Sequence, residues 1–291
     1  MNADALTGFD QAADPALWAK ANHAWAVALR NRGARVGRDK GTELLDRAIQ
    51  LFGTAGEVLT ESAYPLDWAI LQNNLAVALR AQARFSADAA QASEFLIMAE
   101  AASKAALRIY RPKKDHLRGW AHTQNNLGLT YVELGRRRDS PERLVSFGTA
   151  VKATRAALQV FIRAKLPREI AQTQNNLGPA LCALGACNGG SEGAAQRQEA
   201  ITTLEAALSY FTPTNFPVFW ANAKQHLAES LRAFSEQPGI SDPRPLLRAA
   251  LEHVDGALTV YDPEHTPYDR CTATALRDCI RDRLRDLGEG P

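Results

Sequence analysis

The residues with the clearest capacity for directed polar chemistry are amides, and they recur. The stretches Gln72-Asn73-Asn74-Leu75-Ala76, Gln124-Asn125-Asn126-Leu127-Gly128 and Gln174-Asn175-Asn176-Leu177-Gly178 set their leucines 52 and 50 residues apart. Five residues on from Trp18, Trp68, Trp120, Ile170 and Trp220 stand His23, Asn73, Asn125, Asn175 and Gln225, polar in every copy. A carboxamide has an acceptor oxygen and two N–H donors, so a row of them can pair with the backbone of an extended peptide whatever its side chains. Two residues on are Lys20, Ile70, His122, Gln172 and Asn222; twelve on are Arg30, Arg80, Val132, Cys182 and Arg232. A guanidinium takes a carboxylate through two parallel hydrogen bonds, so the arginines would favour acidic or C-terminal groups. The adjoining amides Asn74, Asn126 and Asn176 read as ties between neighbouring copies. The fifth-position row can also be plain solvated polarity, and a register shift of one residue exchanges the two columns.

Other chemistries have little support. His23, His116, His122, His226, His253 and His265 form no HExxH or paired ligand spacing, so no metal is expected. Cys182, Cys187, Cys271 and Cys279 form no CxxC pair and suggest no Cys–His–Asp arrangement. No phosphate-binding or dinucleotide-binding glycine motif occurs, so no cofactor is expected. An enzyme or small-molecule sensor rests only on the mixture of His122, Glu133 and Glu229, which a binding surface also needs. Arg136-Arg137-Arg138 is the one tight basic run and reads as a solvated loop rather than a phosphate contact.

The elements that must position these residues follow from the period, which marks a repeat array. A proline three residues before a large apolar residue recurs at Pro15/Trp18, Pro65/Trp68, Pro167/Ile170 and Pro217/Trp220, with Leu117/Trp120 keeping the spacing. Proline suits the first helical turn, so each marks the start of a helix A. Trp120, Leu127, Tyr131 and Leu134 lie on one helical face, and the other copies match. The residue after each central apolar position is small: Ala26, Ala76, Gly128, Gly178 and Ala228. Glycine inside a helix costs roughly 1 kcal/mol relative to alanine, which points to close approach of a neighbouring helix. Helix B carries two alanine columns, Ala48, Ala99, Ala150, Ala200, Ala250 and Ala55, Ala106, Ala157, Ala207, Ala257, seven residues apart in each copy. That spacing makes one narrow seam. Gly and polar clusters at Gly33–Gly41, Arg136–Pro141, Asn188–Gly193 and Gln237–Pro245 read as loops. Pro267 to Leu287 reads as a last helix with a dry and a charged face, stopped by Gly288 to Pro291.

These columns resemble the tetratricopeptide repeat, and the Asn-Asn-Leu-Gly/Ala form is similar to the repeats of kinesin light chain and of related bacterial arrays. A standard unit has about 34 residues; here the spacing is about 50, the excess lying chiefly between A and B. Helices of about 18–22 residues, about 30 Å long, would use it. The resemblance implies that helix A lines a concave groove. It thereby assigns His23, Asn73, Asn125, Asn175, Gln225, His122, Arg30, Arg80 and Arg232 to a peptide-binding surface.

Net charge is +2 with 46% hydrophobic and 23% charged residues over 291, so no nucleic-acid partner is implied. Met1 to Leu6 lacks signal-peptide features and no apolar run of about 18 residues exists, so no membrane partner and a cytoplasmic location are expected. The expected fold is an all-α superhelical solenoid of five hairpins (residues 14–64, 65–116, 117–166, 167–216, 217–266), with a tail at 1–13 and a capping helix at 267–287. The expected function is non-catalytic binding of an extended peptide or helix of a protein partner. Self-assembly into a homo-oligomer through the stack ends or the convex face is the alternative.

Overall fold

Proline has no N–H to satisfy and a preset φ, and the chain uses it as a helix start. The computed structural model describes residues 11–289. In chain order its helices are α1 (Pro15–Gly33), α2 (Arg38–Val58), α3 (Pro65–Phe85), α4 (Ala89–Ile109), α5 (Leu117–Arg137), α6 (Glu142–Arg163), α7 (Pro167–Asn188), α8 (Gly190–Leu208), α9 (Pro217–Ser235), α10 (Arg244–Leu258) and α11 (Pro267–Asp286). Five odd-numbered helices open on the expected proline and α5 opens on Leu117. Odd helices are type A and even ones type B. The helices run 19 to 22 residues, α10 with 15 excepted. Among the described residues there is no strand, and no helix is long and apolar enough to cross a membrane. The tail expected up to residue 13 falls mostly on residues 1–10, and the stop at Gly290-Pro291 likewise lies outside the described residues.

The chain divides into two compact units, Met1–Thr130 and Tyr131–Pro291, with α5 crossing the division. In the first unit α1 packs on α2, α2 on α3 and α3 on α4, and α1 also meets α3. In the second, α6 through α11 pack each on the next, α7 also meets α9, and α9 meets α11. Sequential hairpins whose A helices meet directly make an all-α solenoid stack within each unit.

The seam residues are the tightest part of this packing. All ten helix-B alanines are 0% exposed. A third column, Ala19, Ala69, Ala121, Ala171 and Ala221, one residue past the tryptophan position, is at most 1% exposed and was not anticipated. At Gly178 a Cβ would lie 2.5 Å from Leu204 Cγ, which is the close approach expected of that small column.

One expectation needs correcting. Of the clusters read as loops, 138–141 and 236–243 do connect helices, but the other two are mostly helix ends: α7 runs through Asn188 and α8 starts at Gly190, leaving only Gly189 between, at φ +64°. Likewise α1 runs to Gly33 and α2 starts at Arg38. Gly33, Gly41, Gly185 and Gly193 serve contact, while Gly189 and Gly190, at positive φ, turn the chain. A Cβ on Gly185 would meet the Gly193 carbonyl at 2.6 Å, and one on Gly41 the Gly33 carbonyl at 2.9 Å. The tryptophans share the helical face of the buried leucines yet are only half-buried at the edge of the core, with Arg108 5.3 Å from the Trp68 ring centroid and Lys224 5.4 Å from that of Trp220.

Candidate functional site

The amide columns lie where successive A helices face each other. In the first unit Arg30 Nη1 donates to Asn74 Oδ1 at 2.8 Å, and Asn74 Nδ2 lies 3.0 Å from His23 Nε2. Arginine has only donors, so it fixes which end of Asn74 is oxygen; Nδ2 then donates and His23 Nε2 must accept. One helix further, Asn126 Nδ2 donates to Asn73 Oδ1 at 3.0 Å. In the second unit His226 Nδ1 lies 3.0 Å from Asn175 Oδ1 and donates to it. His23, Asn73 and Asn175 thus each accept from the sixth-position residue of the next A helix. Two columns that the sequence assigns separate roles are two halves of one bond. A neutral hydrogen bond of this kind contributes about 0.5–1.5 kcal/mol net, and an orphaned buried partner costs about 1–3. Gln225 ends the row differently, donating to Thr272 Oγ1 of α11 at 3.3 Å and to Glu229 Oε1 at 3.1 Å.

His226, at the sixth position, was not singled out from the sequence, although it completes the column of Asn74, Asn126 and Asn176. Its signal is Pro179 inside α7. Proline has no N–H for the carbonyl four residues back, here that of Asn175, the residue whose side-chain Oδ1 His226 meets. Burial pushes the His226 pKa below its ordinary value; Glu229, the nearby Asn175 backbone and Asp269 oppose the shift, and Arg136 adds to it.

The expected site residues divide by exposure. Asn125, Asn175 and Gln225 are buried, at 6%, 4% and 9%. His23, Asn73, His122, Arg30, Arg80 and Arg232 are half-buried. The first unit brings together His23, Arg30, Asn74 and Arg80. Burial lowers the Arg30 pKa and the neighbouring Arg80 charge lowers it further. The Arg30 acceptors are neutral: Asn74 Oδ1, and Asn31 Oδ1 for both Nε and Nη2. In the second unit Arg232 pairs with Glu236 on its own helix. At the equivalent position of α5, Val132 is 4% exposed. In α7 burial pushes the Cys182 thiol up, with the nearby Ser230 hydroxyl and Arg197 charge opposing the shift. That direction opposes thiolate chemistry. No group of three His, Cys, Asp or Glu among the described residues could hold a metal.

The chain matches no known protein-family model and no curated protein.

Proposed function

We propose that this chain is a non-catalytic scaffold of the tetratricopeptide-repeat type, and that its A-helix surface binds an extended peptide or a helix of a protein partner. The observation that carries the reading is Arg30. It is a half-buried cation, held on neutral amide oxygens and set beside a second guanidinium, Arg80. A carboxylate arriving there gains a charge-assisted pair in partly desolvated surroundings, which favours a partner with acidic side chains or a free C-terminus. Asn73 supports it: its Oδ1 is taken by Asn126, while its Nδ2 donates to no other described residue and is left for a ligand carbonyl. Asn175, bonded to His226, serves the stack first and a ligand second.

The test is capture from an array of acidic peptides with free or amidated C-termini, followed by fluorescence anisotropy on the best binder. Arg30→Gln combined with Arg80→Gln should weaken binding at least tenfold, about 1.4 kcal/mol, with helicity unchanged. Binding that survives this change, or that ignores peptide charge, refutes the assignment.

Self-assembly has one observation behind it. The small residues Ala78 and Ala180 are fully buried in α3 and α7, whereas Ala28 at the same position of α1 is exposed, on the same helix as the exposed Leu17 at 49%. A mass that rises with concentration in light scattering, and that Ala28→Lys abolishes, would favour that reading over the first.

A further inference from the structure

Two histidines stand in a row otherwise built from asparagine and glutamine, and they sit on opposite sides of the bond. His226 donates to Asn175 through Nδ1, so a proton added at Nε2 leaves that donor in place. His23 accepts from Asn74 through Nε2. The Asn74 amide cannot turn round to accommodate a proton there, because Arg30 holds its Oδ1 at 2.8 Å. A proton on His23 Nε2 therefore sets two donors against each other across 3.0 Å. It also places an imidazolium beside Arg30, which already faces Arg80.

We propose that the His23–Asn74 contact is an acid-released latch between α1 and α3, closed while His23 is neutral and opened when Nε2 takes a proton.

The groups around the ring agree with this assignment. On its own helix His23 faces Arg30, which disfavours a second charge. On α3 it faces Asn74 and Asp67; among the described residues Asp67 is the carboxylate that favours protonation, and Lys20 already pairs with it at 3.0 Å. On α2 it meets the fully buried Phe52, ring centroids 5.6 Å apart, which offers no acceptor. Burial and then Arg30 hold the His23 pKa below 6.5, and Asp67 opposes them. A histidine kept neutral by folding contributes stability that is present above the unfolded value of about 6.5 and is lost as pH falls below it. What the latch frees is α1, the first of the described helices. Within its unit α1 packs on α2 and α3, and a helix held by few neighbours opens locally at lower cost. The latch is independent of any ligand.

The test is amide hydrogen exchange of the full chain, read by mass spectrometry from pH 8 to pH 5.5 and corrected for intrinsic exchange. Opening of α1 should increase as pH falls through about 6.5, by at most about tenfold for each unit that the folded pKa lies below that value. His23→Asn places at this position the residue found at Asn73, Asn125 and Asn175. It should keep the acceptor, fold normally and leave α1 flat across the range. Ring nitrogen shifts should place the His23 proton on Nδ1 at pH 8. The proposal is overturned by an α1 opening that does not vary with pH, by the same variation in His23→Asn, by a proton on Nε2 at pH 8, or by an equal rise throughout the chain.

Discussion

Substituting Gly178 by alanine separates two opposed effects of known size. A Cβ there would lie 2.5 Å from Leu204 Cγ and 2.7 Å from both of its methyl carbons. Leu204 is 0% exposed, so its branched carbon cannot swing away. Alanine is the better helix former by about 0.8–1.0 kcal/mol, while overpacking of a closed core costs about 1–3 kcal/mol. Three contacts below 3 Å on a branched carbon place this case in the upper part of that range. The net expectation is a loss of about 1–2 kcal/mol, read by urea unfolding followed by far-UV circular dichroism. Alanine as such fits the repeat, since Ala26, Ala76 and Ala228 occupy the same column; the conflict is with Leu204. Leu204→Ala alone should cost about 2–5 kcal/mol through the cavity it leaves. The double change should be milder than the two losses combined, because the new methyl enters that cavity, with a coupling of about 1–3 kcal/mol. Stabilisation by Gly178→Ala, or additivity of the pair, would refute the close approach of α7 and α8.

Asn126→Ala removes the donor to Asn73 and should cost about 1–2 kcal/mol, and the Asn73→Ala, Asn126→Ala pair should lose less than the two singles together, measured by the same unfolding curves. Ala207→Leu forces a large side chain into a position with 0% exposure and should lower stability by about 1–3 kcal/mol, whereas the same change at exposed Ala101 should be nearly neutral by thermal melting. Lys224 Nζ lies 2.9 Å from His253 Nδ1, and burial followed by the Lys224 charge lowers the His253 pKa, with Glu252 opposing. The contribution of His253 is therefore present above pH about 6.5 and fades below it, and His253→Gln should flatten part of the acid limb of a stability–pH profile.

Much of the architecture is readable from single residues because the physics behind it is local. A proline at the first turn needs no partner, so the starts of α1, α3, α7, α9 and α11 follow from the chain alone. The alanine pairs of helix B mark the seam because a seven-residue step returns to the same helical face, and all ten prove to be buried. Glycine was less legible, because the same residue serves a turn and a contact. Gly189 turns the chain, while Gly185 and Gly193, close by in sequence, let two helix backbones touch.

The amides mark where the sequence stops being sufficient. That Asn73, Asn74, Asn125, Asn126 and Asn175 share one strip of helix A is set by spacing. Which of them meet is decided by how far one A helix is displaced against the next, and no single helix encodes that displacement. The packing of α1 on α3 and of α7 on α9 brings fifth and sixth positions into register. It thereby makes His23 an acceptor and His226 a donor. A proton on a ring nitrogen is set by the atom opposite it, so the opposed roles of these two histidines exist only in the assembled stack.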